Sequence, residues 1–240
     1  MLRQDDVLGI IKSRGYWRIL FRPTQYKKVF ENNEQIKDFV RTNLADFTGW
    51  DFPHYPVGND EVQQIDNGHE YIQALTLFGH HKEFWRMYQS GQFIYYLGFP
   101  EDWYEEHFWE DKRRALAFIK PMKNIGIAYN IMANIKCLFS FIFKFISKNN
   151  LDTSLLIDIN LQNTKDRTLW SQDFSWEVKY RGIYPTSSNE IHVIREKVFS
   201  VDEILTENEQ IQIDAIKIIF DSFGWNPAEE QIKHYLERLK

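Results

Sequence analysis

The stretch His80–Phe99, HHKEFWRMYQSGQFIYYLGF, constrains this chain more than any other. Its side chains alternate over two runs joined at Ser90-Gly91, the signature of two antiparallel strands and a tight turn. On the first run Lys82, Phe84, Arg86 and Tyr88 share one face, and Trp85 and Met87 the other. On the return run Phe93, Tyr95, Leu97 and Phe99 lie together. Neither face is wholly polar, so the sheet is expected to be covered on both sides over part of its area.

The surrounding segments extend that hairpin into a sheet. EVQQI and HEYIQALTLF read as a second hairpin across Asn67-Gly68, so four strands follow one another as a meander. Earlier, Tyr16–Arg22 alternates with Trp17, Ile19 and Phe21 on one side and Tyr16, Arg18, Leu20 and Arg22 on the other, and Pro23 ends it. Residues 1–13 form a short lead-in with helical character. Asn32 or Asn33 caps a helix running to about Leu44. Later strands are expected at Leu155–Leu161, Phe174–Tyr180 and Glu190–Phe199.

Helices punctuate the rest. Asp102 is placed to cap a helix through WYEEHFWEDKRRALAFI, which Pro121 interrupts. Met122–Asn150 is the most apolar segment, with Ile125, Tyr129, Met132, Ile135, Phe139, Ile142 and Ile146 at helical spacing. Lys136 and Lys144 fall inside it, and central lysines are costly in lipid, so a buried core helix is expected rather than a membrane span. Ser200 and Glu203 have capping-box spacing. Ile211, Ala215, Ile218 and Ile219 form the stripe of the next helix, which Gly224 ends, and Pro227 starts the last one. The expectation is an α+β fold: an antiparallel, aromatic-rich sheet packed on a long apolar helix, with a second, smaller strand set and C-terminal helices. Residues 1–240 read as one unit, with lobes 1–150 and 151–240 as the finer division.

Aromatic residues make up 16% of the 240, including 19 Phe, 12 Tyr and 8 Trp, enough for a substantial core. The net charge of -5 argues against general nucleic-acid binding, which normally shows a basic excess. The one cysteine, Cys137, forbids an intrachain disulfide and a cysteine-built zinc site, which favours a cytoplasmic setting. The opening MLRQDDVLGIIKSRG lacks the continuous apolar region of a secretory signal. No phosphate loop and no Gly-x-Ser-x-Gly elbow occurs.

Three patterns could carry function. Arg18, Arg22, Lys82, Phe84, Arg86 and Tyr88 mix basic and aromatic groups on neighbouring strands, a combination that stacks on and grips small ligands or partner proteins. Asp158 followed by Glu177-Val178-Lys179 could hold Mg²⁺ through its carboxylates, with the lysine near the scissile phosphate, as in restriction-like nucleases. His54, His69, His80 and His81 cluster in or near the meander. None has the spacing of a zinc site, so hydrogen-bonded turn histidines and no metal are expected.

RGYWRILFRP, FTGWDFPH, GHHKEFWRMYQSGQFIYYLGF and FSVDEILTENEQIQIDAIKIIFDSFGWNP together resemble, in the same order, an uncharacterised bacterial protein family. Related segments lie downstream of Schlafen-type ATP-binding domains. The resemblance implies a role in regulation or phage defence and supplies no catalytic residues. The reading is a non-catalytic recognition or sensor module for a partner protein or small ligand. A Mg²⁺-dependent nuclease using Asp158, Glu177 and Lys179 is the alternative.

Overall fold

The computed structural model describes residues 2–47, 50–106, 122–170 and 185–239. The expected strand at Phe174–Tyr180 lies outside them.

One strand, β1 (Tyr16–Pro23), joins the meander to the strands that follow it late in the chain. On one side it pairs with β5 (Phe93–Gly98), the last strand of a meander formed with β2 (Gln63–Asn67), β3 (Tyr71–Thr76) and β4 (Glu83–Tyr88). On the other side it pairs with β7 (Leu155–Gln162), which in turn carries β9 (Glu190–Phe199). The result is a seven-stranded antiparallel sheet of order β2-β3-β4-β5-β1-β7-β9. Strands from before and after residues 149–152 therefore share one sheet. Two short strands, β6 (Asn124–Gly126) and β8 (Thr168–Trp170), form a separate parallel pair.

Alternation decides which face is core. Trp17, Ile19, Phe21, Trp85, Met87, Phe93, Tyr95, Ile157 and Ile159 all point to one side and are buried. Across them lies α3 (Ala133–Lys148), with α1 (Gln4–Lys12) and α2 (Asn33–Thr42) preceding it in the chain. Phe141 and Phe145 stand one turn apart on α3, so both reach the sheet: Phe93–Phe141 and Phe21–Phe145 are each 5.3 Å between centroids. Phe39 of α2 closes this cluster at 5.6 Å from Phe141. After β9 come α4 (Val201–Thr206), α5 (Asn208–Asp221) and α6 (Glu229–Arg238). The capping box at Ser200 and Glu203 is formed, as is the Asn32 cap of α2.

The opposite face is covered in part. α1 lays Val7 and Ile11 over Leu75 and Phe84, making a small second core. Each of these buried side chains contributes about 1.5–3 kcal/mol of transfer free energy.

The apolar stretch Ile127–Lys148 forms 22 helical residues, long and apolar enough by composition to cross a membrane, and 67% of its most apolar window is buried inside the fold. Its lysines turn to backbone oxygens of this chain. Lys136 Nζ donates to Leu236 O and Leu239 O at 2.6 and 2.5 Å, and Lys144 Nζ to Leu44 O at 2.7 Å.

Four local expectations need correcting. Asp102 lies inside a 3-10 helix, Pro100–Glu106, and its buried carboxylate accepts bonds from Gly15 N, Met122 N and the Arg167 guanidinium; residues 107–121 of the expected helix lie outside the described residues. The helix expected from Met122 begins at Ile127 with a π-helical turn, because Asn124–Gly126 is captured by Thr168–Trp170. On α5, Ile218 is exposed, while Ile213 and Ile216 are buried, because the helix packs against both α3 and β9 and is rotated to serve both. The last helix is capped at Ala228 and starts at Glu229, two residues beyond Pro227.

Candidate ligand pocket

The core face of the sheet is not filled to its end. Where β5 runs out at Gly98, the chain turns into a 3-10 helix, Pro100–Glu106, and the apolar wall opens into a cavity of about 220 Å³. That is small for a ligand site and suits a metabolite-sized molecule.

Its first wall is a column of rings. Trp50 sits between two imidazoles, His81 at 3.8 Å and 3° and His54 at 4.2 Å and 27°. His80 lies tilted against His81, with centroids 4.0 Å apart, and approaches Tyr104 at 5.6 Å. Both faces of Trp50 are thus occupied, and it is a rigid element of the wall.

The column is anchored from below by Glu83, the first residue of β4. Its Oε1 accepts His54 N at 2.8 Å and its Oε2 accepts Trp50 Nε1 at 3.2 Å. Trp85 Nε1 adds a bond to His54 O at 2.6 Å. Burial pushes the Glu83 carboxyl up to about 7, against the pull of the nearby His54 charge and the bonds it accepts. Burial disfavours the charged form of the His54 ring, but its 2.7 Å bond to Asp51 and the Glu83 charge outweigh this and raise its pKa. Asp51 is lowered: its bonds to His54 and Tyr55 N overcome its own desolvation.

The floor is Glu101. It is 4% exposed, and burial raises its pKa to about 7. Oε1 accepts Gly126 N at 2.9 Å, and Oε2 accepts Asn130 Nδ2 at 2.6 Å. Asn130 Oδ1 accepts Trp17 Nε1 at 2.7 Å, tying the floor to the central strand. Glycine at 126 leaves Glu101 Oε1 its place, since a Cβ there would push the carboxylate aside. The π-helical turn carries Ala128, Tyr129 and Asn130 past this point, and such turns recur at functional sites.

Two further rings close the mouth: Tyr129, which is 54% exposed, and Trp170, opposite Gly126 in the β6–β8 pair. Tyr95 and Cys137 lie deeper. Burial raises the Tyr95 hydroxyl well above its usual value and pushes the Cys137 thiol up to about 12, so both are neutral.

Of the patterns singled out by sequence, His80 and His81 line this pocket, and the basic-aromatic and acidic residues stand elsewhere. Phe84 is under α1, and Lys82 is buried with Nζ 2.6 Å from Glu106 Oε2. Arg86 lies 4.1 Å over the Tyr71 ring and bonds to Gln73, Gln4 and Tyr88. Tyr88 packs at 5.5 Å from Tyr71. Arg22 is exposed at the end of β1, and Arg18 pairs with Asp158 at 2.8 Å. Asp158 also accepts Asn160 Nδ2, at 2.9 Å, and Glu196 N. Glu177 and Lys179 lie outside the described residues. Among the described residues no cluster of three metal-ligating side chains occurs.

Glu83, Glu101, Tyr104, Tyr129 and Trp170 are not marked as site residues by sequence pattern, and they come from four separate elements. One signal was available for Glu101: GFPEDW places two acids directly after a strand end that is wholly apolar. No family model, curated protein or solved structure matches the chain.

Proposed function

We propose that this protein is a non-catalytic recognition or sensor module that binds a small molecule in the pocket above Glu101. The observation that carries the reading is the combination of an open cavity of about 220 Å³, aromatic walls and a buried carboxyl at the floor. Apolar pockets with a few convergent polar groups and displaced pKa values are where ligands bind. Recognition is favoured over turnover because Cys137 is held as a neutral thiol and each Glu101 oxygen already has a donor. A setting in regulation or phage defence is what the family resemblance implies, and the pocket would serve there as the sensing element.

The test is a small-molecule screen read by tryptophan fluorescence and thermal shift, repeated on Ala128→Phe. Ala128 lines the pocket and is buried, so a ring there fills the cavity. Ligands found with the native chain should lose at least tenfold in affinity. Hits that bind Ala128→Phe unchanged would place the site elsewhere.

A further inference from the structure

We infer that the pocket takes an organic ammonium cation, with Glu101 as its counter-charge and the rings of Tyr129 and Trp170 around it; this rests on the pocket being a ligand site.

Among the described residues, four buried or half-buried carboxylates have a cationic partner and Glu101 has none. Asp102 has Arg167 at 2.6 Å, Asp158 has Arg18 at 2.8 Å, and Glu83 and Asp51 share His54. Glu101 has only Gly126 N and the Asn130 amide, both neutral donors. A buried carboxyl with neutral partners and an open cavity beside it is the place where an external positive charge is most strengthened by low dielectric.

The lining has the matching sign. Among the described residues, the acids of the lining are Asp51 and Glu101, and it holds no lysine or arginine. Lys136, the neighbour of Cys137, directs its ammonium to the carbonyls of Leu236 and Leu239 instead. The lining thus offers an anion no lysine or arginine to pair with.

The rings supply the rest. Ring faces attract cations through their quadrupoles, and cages of this composition recognise quaternary ammonium groups. Trp50 is spent on its two imidazoles, but among the described residues no ring stacks on Tyr129 or Trp170. Both line the same cavity as Glu101 and Gly126.

The decisive comparison is choline against 3,3-dimethylbutan-1-ol, which has the same shape and no charge, each titrated calorimetrically into the native chain. Choline is expected to bind at least tenfold more tightly. Glu101→Gln keeps an acceptor for Gly126 N, and should retain the alcohol while losing the preference for choline. Tyr129→Leu, at an exposed position that folding does not depend on, should weaken choline more than the alcohol. Equal binding of the two, a preference that survives Glu101→Gln, or binding of the alcohol alone would overturn the cation assignment while leaving the pocket a ligand site. Failure of choline, the alcohol and indole alike would overturn the pocket reading together with it.

Discussion

Asp102 and Arg167 form a fully buried bidentate pair, with Nη1–Oδ1 at 2.7 Å and Nη2–Oδ2 at 2.6 Å. Asp102 also accepts Gly15 N at 2.8 Å and Met122 N at 2.6 Å, so one carboxylate joins the start of β1, the 3-10 helix and the lead into β6. Gly15 has no room for a side chain, since a Cβ would meet Phe99 and come within 2.6 Å of Arg167.

Removing one member of that pair leaves the other charged in a dry site. Asp102→Asn or Arg167→Met is expected to cost about 3–5 kcal/mol each. The double variant should cost less than the sum of the two, because it leaves no orphan charge. Urea unfolding of the four proteins measures the coupling, and strict additivity would contradict it.

Stability should fall as pH rises from acid to neutral. Glu83 and Glu101 hold their protons to about pH 7 in the folded chain, against an ordinary value of 4.5. The folded state therefore binds more protons than the unfolded state between those values, at a cost on the order of 3 kcal/mol per group by pH 7. His54, raised on folding, adds stability that is present below its ordinary value and lost as pH climbs through the folded one. Asp51, which is lowered, acts oppositely, and only at the acid end. Unfolding measured from pH 5 to 8 should show this decline, and Glu83→Gln with Glu101→Gln should flatten it. A native chain that grows more stable over that range would refute the assignment.

Gly126→Ala displaces the Glu101 carboxyl from the pocket floor, since the added methyl occupies the place of Oε1. Ligand affinity in the pocket should drop at least tenfold. The near-ultraviolet circular dichroism of the sheet aromatics should be kept, because Phe93, Phe141 and Phe145 pack away from this residue.

Phe84→Ala tests the second core. Truncating a buried phenylalanine costs about 3–5 kcal/mol. Here the loss falls between β4 and α1, so amide exchange should accelerate first at residues 4–12. Uniform acceleration across the sheet would show that α1 is not a separate cooperative unit.

Local chemistry made much of this molecule legible in advance. Alternation in Tyr16–Arg22 and His80–Phe99 marked the core face, the Asn-Gly and Ser-Gly turns marked the meander, and Ser200 with Glu203 marked a helix start. These features depend on spacings of two to four residues, which a sequence displays directly. On the oppositely patterned strand face, Lys82, Phe84, Arg86 and Tyr88 meet Glu106, α1, Tyr71 and Gln73, partners that their own spacing does not predict.

What the sequence determined by itself was therefore the sheet, its apolar face and the helix that covers it. Tertiary structure alone decided that Glu101 would be buried with no cation among the described residues while its neighbour Asp102 received Arg167, and that Trp50, Tyr129 and Trp170 would line the same cavity. The reason is physical. Burial and charge pairing depend on which distant segments arrive beside a residue, and adjacent acids in one short helix can meet entirely different surroundings.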